Sequence, residues 1–239
     1  MSKERPILFS APMVRAILDG RKTMTRRPVK EPRPDATRVF SQVAALTSID
    51  AEPGTEFWRW DYPAGISRGF RCPYGQAGDR LWVRETWGIR DVRNAWCRDS
   101  IKGLSAEDVL AEAGVEYAAS LDEEGAHWRP SIHMPRWAAR ITLEVTDVRV
   151  ERLQAITEKS VYAEGVQIPV TTDGCPPGKA AVLHSISGRF PSIRYARPGA
   201  DTVDIVRAHF ASAWDTIHGA DAWAGNPWVW AVSFKRIVP

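Results

Sequence analysis

Reactive side chains crowd into Gly20-Arg21-Lys22-Thr23-Met24-Thr25-Arg26-Arg27, where four cations and two hydroxyls fall between Arg21 and Arg27. Lys22 and Thr25 are three residues apart. On an extended strand they point to opposite faces; one helical turn or a bent loop brings them together. A lysine beside a hydroxyl has a definite chemistry. Desolvation lowers the ammonium pKa, and the free amine can take the hydroxyl proton so that the oxygen attacks a carbonyl. The leaving amine then needs an acid, a role suited to a carboxyl whose pKa has been raised. Glu85 and Glu164 are the candidates. Glu85 sits on a Trp-rich stretch and is equally suited to pairing with a neighbouring arginine. Glu164 closes a short helical segment, where a carboxylate slightly opposes the helix dipole or is simply solvated.

The same cations fit two other readings. A basic run is often just a solvated connection. It also suits nucleic acid, with Arg21, Arg26, Arg27, Arg33 and Arg38 meeting phosphates and tryptophans stacking on bases. Metal chemistry has little support. The five histidines (His127, His133, His184, His209 and His218) include no i, i+3 or i+4 pair, and there is no Cys-x-x-Cys, so no metal is expected. Neither G-x-x-x-x-G-K nor G-x-G-x-x-G occurs, so no phosphate-cradling glycine loop and no cofactor are expected.

Composition narrows the class without choosing the function. The 239 residues suffice for one sizeable core, and hydrophobic and charged contents of 44% and 26% are those of an ordinary globular chain. Net charge is only +3, but residues 1–40 hold ten Lys or Arg against four Asp or Glu. No apolar run follows the first charges and no stretch approaches the roughly 20 apolar residues of a membrane span. Cys72, Cys97 and Cys175 form no disulfide framework, so a cytoplasmic protein away from membranes is expected. Eleven tryptophans are available for core packing or for flat ligands.

The elements that must position these residues read as follows. Residues 6–9 form a buried strand. Ser10 caps a short helix with Pro12 in its first turn and Gly20 at its end. A Gly78-Asp79 turn opens a strand with Leu81, Val83 and Glu85 on one face. A strand over 140–150 alternates Ile141, Leu143 and Val145 with Thr142, Glu144 and Thr146. A helix runs from the Thr157 cap to Gly165. Val203, Val206, Phe210, Trp214 and Ile217 predict a helix over 202–218 with one apolar stripe facing a core. The last strand spans 228–237. Between these lie excursions near 28–70 (with one hairpin), 88–135 (with a short helix over 105–113) and 166–200. The outline is α+β, a single domain built on a small closed or half-closed, antiparallel-looking sheet.

These residues resemble a known family. Ile17-Leu18-Asp19-Gly20-Arg21-Lys22-Thr23-Met24-Thr25-Arg26 resembles the opening signature of the ASCH-domain family, which has a PUA-like β-barrel fold. Gly78-Asp79-x-Leu81-x-Val83, the stretch Ile141-Thr142-Leu143-Glu144-Val145-Thr146 with residues 153–165, and the aromatic last strand resemble its later elements. The four islands cover roughly half the chain. With Pro-Ile-Leu-Phe-Ser ahead of the helix and Cys-Pro-Tyr-Gly ahead of Gly78-Asp79, the chain resembles the larger form common in phages and prophages.

The resemblance implies a metal-independent amidohydrolase that removes the acyl group from N4-acylated cytosine nucleosides such as N4-acetylcytidine. The family's functional trio falls on Lys22, Thr25 and Glu164, with Arg21, Arg26 and Glu85 expected to hold the nucleoside. The small family enzymes lack the three excursions. The alternative implied is an RNA, single-stranded nucleic-acid or modified-base binding module without turnover, or a weak ribonuclease. The oligomeric state is left open.

Overall fold

The computed structural model describes residues 2–30, 45–51, 55–62, 65–66, 71–89, 114–121, 128–166, 170–171, 180–184, 192–196 and 202–237. In chain order the strands are β1 (Glu4–Leu8), β2 (Met24–Pro28), β3 (Ala45–Ala51), β4 (Thr55–Tyr62), β5 (Gly65–Ile66), β6 (Arg80–Arg84), β7 (Trp87–Ile89), β8 (Val115–Tyr117), β9 (Thr142–Arg152), β10 (Val170–Thr171), β11 (Ala180–His184), β12 (Ser192–Ala196) and β13 (Trp228–Ile237). The α-helices are α1 (Ala11–Leu18), α2 (Glu158–Ala163) and α3 (Thr202–His218).

The chain is α+β around a five-stranded sheet of order β1-β6-β9-β13-β2. All neighbours pair antiparallel except β1 and β6, which run parallel. The sheet is thus the mixed, mostly antiparallel kind expected, with the one parallel pair formed where the long stretch between β1 and β6 returns the chain in the same direction. Among the described residues the sheet is open, with β1 and β2 as its edges, rather than closed.

Long strand β9 explains how one core is filled. Leu143 and Val145 are buried, and so is Val148, which strict alternation would turn to the other face. The register between β9 and β13 shifts at Ser233/Phe234, leaving Thr146 as an extra residue. This bulge flips the phase, so Leu143, Val145 and Val148 share one core. After the bulge the odd residues, Glu151 among them, face the opposite side.

Adjacent residues of β13 divide the two faces. Trp230, Val232 and Phe234 join Ile7, Phe9, Val14 and Ile17 under α1. Val229 joins Leu153, Val161, Val206, Phe210 and Trp214 under α2 and α3. Each large apolar side chain so buried stabilises the fold by roughly 1.5–3 kcal/mol before entropy is counted. Ser10 occupies the N-cap of α1 without a side-chain cap bond, whereas Thr157 Oγ1 accepts from Ser160 N and caps α2.

Small antiparallel sheets decorate this frame. The β3-β4-β5 sheet holds the hairpin expected in residues 28–70. The β10-β11-β12 sheet lies in residues 166–200, where no strand is expected from the sequence. The short helix expected over 105–113 lies outside the described residues, as do Arg33, Arg38, Cys97, Cys175 and His127. Among the described residues no helix is long and apolar enough to cross a membrane.

Candidate active site

Lys22 is placed by the end of α1. Gly20 takes φ +74, the left-handed geometry a helix C-terminus asks of glycine, and the N–H groups of Arg21 and Lys22 both reach Ala16 O at 2.9 Å. The chain turns there and enters β2. Glu164 arrives from the other side as the C-cap of α2, followed by Gly165 at φ +84. The two segments meet in an antiparallel bridge between Lys22 and Glu164, with Thr23 N donating to Ala163 O at 2.8 Å.

Gly165 is required by space as well as by φ. A Cβ there would stand 2.8 Å from Ala16 Cβ and 2.9 Å from Lys22 Cβ. Gly165→Ala is therefore expected to lower stability by about 2–4 kcal/mol, from the left-handed backbone and the overpacking together. Thermal unfolding checks this; an unchanged midpoint would mean that the two segments are not pressed together as described.

The charges meet where these segments cross. Lys22 is 2% exposed. Its Nζ donates to Met24 O (2.8 Å), Glu164 O (2.9 Å) and Glu164 Oε2 (2.8 Å), so all three ammonium protons are used. Burial pushes the Lys22 pKa below its ordinary value, and the Glu164 carboxylate opposes that shift. Arg26 Nη1 donates to Glu164 Oε1 (3.2 Å), while its Nε and Nη2 reach Glu151 Oε1 (2.9 and 2.6 Å). Glu164 is thus clamped between two buried cations. Arg21 donates to Asp19 Oδ2 and Gly165 O, which ties it to the same corner.

A cleft of about 340 Å³ opens along β2, between α1 and α3, and Arg21, Thr25, Arg26 and Glu164 all line it. The pairing with β13 says which backbone groups face it. Val29 N donates to Trp228 O and Phe234 N donates to Thr23 O, so the odd residues of β2 bond to β13. Met24 and Arg26 turn their backbone groups to the free edge, where Lys22 Nζ takes Met24 O. The Arg26 N–H is left beside Thr25. Thr25 Oγ1 has no hydrogen-bond partner among the described residues, and no hydrogen bond joins it to Lys22 Nζ.

The chain matches no family model, no curated protein and no solved structure.

Of the six residues the sequence singles out, Arg21, Thr25, Arg26 and Glu164 line this cleft, and Lys22 is buried behind it on Glu164 Oε2. Glu85 is not brought to it. It is 1% exposed and held by a two-pronged contact from Arg140, Nε to Oε1 and Nη2 to Oε2, both 2.9 Å. The Tyr117 ring lies 3.9 Å from the Arg140 guanidinium carbon. Glu85 thus takes the ion-pair role that its Trp-rich strand also allowed.

Residues of the cleft, and one that anchors its Arg26, escape the sequence reading. Glu151 was hidden because only the β9 bulge turns it towards Arg26. Trp214 reads as core from helical spacing and is 4% exposed, yet it also lines the cleft, where the His218 ring stacks on it at 4.1 Å. Ile217 continues the same stripe but is 52% exposed at the cleft's rim. One further pattern, Gly65-Ile66-Ser67-Arg68-Gly69, spells the G-x-S-x-G of hydrolase elbows. Such an elbow needs a strand leading into a helix. Here Gly65 and Ile66 form a two-residue strand at the edge of a small sheet, and Ser67 lies outside the described residues. Among the described residues no three His, Cys, Asp or Glu groups gather as a metal site would require.

Proposed function

We propose that the chain is an amidohydrolase acting on N4-acylated cytosine nucleosides, on a PUA-like scaffold of which the five-stranded sheet is the central part. The observation that carries the reading is that Thr25 and Glu164, drawn from two distant places in the sequence, line one cleft, with Lys22 Nζ on the Glu164 carboxylate behind it. In this reading Thr25 Oγ1 bonds to the amide carbonyl carbon, and the Arg26 N–H receives the developing oxyanion. The hydroxyl proton passes to Lys22 as its free amine, by way of Glu164, whose carboxylate touches Nζ and lines the cleft. The same pair returns the proton to N4 as the C–N4 bond breaks and cytidine leaves. Water then attacks the acyl-threonine, releasing the carboxylic acid and restoring Thr25.

Lys22 with three acceptors around it is an ammonium, so the reaction begins when that ammonium loses a proton. The sign follows: the rate rises with pH to a plateau, with a midpoint below the ordinary lysine value because burial disfavours the charged form. Incubation with N4-acetylcytidine, following cytidine release with and without chelator across pH, tests this. Release that rises with pH and ignores chelator is expected; no release at any pH overturns the reading.

The nucleic-acid alternative draws less support from the same geometry. Arg21 is committed to Asp19, Lys22 to Glu164, and Arg26 to Glu164 and Glu151. A run that looks like a phosphate surface is thus largely neutralised from within.

A further inference from the structure

Arg27 is the exception to that neutralisation. Among the described residues it has no carboxylate partner. Its Nη2 donates to Leu8 O, its guanidinium lies over Phe9 at 5.3 Å, and the residue lines the cleft together with His218. Burial, with the nearby Arg27 charge adding to it, lowers the His218 imidazole pKa. Arg27 Nε and Trp214 Nε1 are enclosed without a hydrogen-bond partner among the described residues. A cation without a carboxylate partner among the described residues, on the wall of a cleft, suits an anionic ligand.

We propose that the cleft takes a phosphorylated nucleoside, with the phosphate monoester of a nucleoside monophosphate held by Arg27 beside His218. This rests on the amidohydrolase reading for the base end of the ligand, and on Arg27 for the phosphate end. Position favours the nucleoside's own phosphate over an anion on the acyl group. Arg27 lies two residues beyond Thr25, about 7 Å along the strand. That distance, extended by the arginine side chain, leads away from the reacting carbonyl and towards the end of the nucleoside opposite N4.

Titration calorimetry with cytidine 5′-monophosphate, cytidine, a short cytidine oligonucleotide and inorganic phosphate tests it, using the wild-type chain, Arg27→Gln and Arg27→Lys. The monophosphate is expected to bind at least about tenfold more tightly than cytidine, the scale of a hydrogen bond to a charged group. Arg27→Gln should erase that ratio, Arg27→Lys should keep part of it, and added salt should shrink it. Equal affinity for the two ligands, a ratio that survives Arg27→Gln, no binding of the monophosphate, or binding of the oligonucleotide alone overturns the proposal. The ratio involves no turnover, so a failure to hydrolyse N4-acetylcytidine leaves it standing and counts against the amidohydrolase reading only.

Discussion

Thr25→Ala is expected to reduce cytidine release from N4-acetylcytidine by about 10³-fold or more, the scale on which removal of an activated nucleophile is felt. The fold should survive the change. Thr25 is buried on β2, but its hydroxyl has no hydrogen-bond partner among the described residues, so truncation strands no donor or acceptor. The cost is a lost methyl and a small void, about 1 kcal/mol. A large loss of rate with a nearly unchanged unfolding midpoint would therefore assign Thr25 to the chemistry. Thr25→Ser keeps the oxygen and should retain most of the activity. Turnover by Thr25→Ala at the wild-type rate would remove Thr25 as nucleophile, leaving water activated by Glu164 as the alternative.

The largest effect on stability is expected at Glu164. Its carboxylate is nearly buried and lies 2.8 Å from Lys22 Nζ and 3.2 Å from Arg26 Nη1, both side chains being almost fully enclosed. Glu164→Ala leaves the Lys22 ammonium with two backbone acceptors and no opposite charge, while Arg26 keeps Glu151. Breaking one partner of a buried pair costs about 3–5 kcal/mol. For a chain of this size that is a fall of roughly 10 °C in the unfolding midpoint. The pair Lys22→Met with Glu164→Leu removes both charges together and should recover most of the lost stability, since a buried ion pair and a matched apolar pair differ little in net stability. The double variant should remain inactive. Recovery of stability without activity separates the structural role of the pair from its role as proton carrier. A Glu164→Ala protein as stable as wild type would show that the clamp is not what holds α2 against β2.

The placement of the local elements was legible in the chain because local signals agree with tertiary ones there. The helix over 202–218 and the strand over 228–237 have the spans their periodicity predicts. The Thr157 cap and the positive-φ Gly165 bound α2 as a helix start and stop should. Parallel pairing of β1 with β6, the open sheet and the β10-β11-β12 sheet were not legible. Each depends on where a long connection returns, which no window of ten residues records.

For the site, the sequence by itself determined which groups could react: a lysine, a hydroxyl three residues on, and a carboxyl at a helix end. It also determined that Gly20 and Gly165 would turn the chain on either side of them. Only the tertiary structure decided how those groups are used. It spends all three Lys22 protons on Met24 and Glu164, leaves Thr25 Oγ1 without a hydrogen-bond partner among the described residues, and sends Glu85 to Arg140 instead. Through the β9 bulge it delivers Glu151 to Arg26, and through α3 it makes Trp214 a cleft wall as well as a core residue. The physical reason is that charge and burial are settled by partners distant in sequence. Asp19, Glu151 and Glu164 neutralise three of the four cations in the basic run, and Arg27 meets no carboxylate among the described residues.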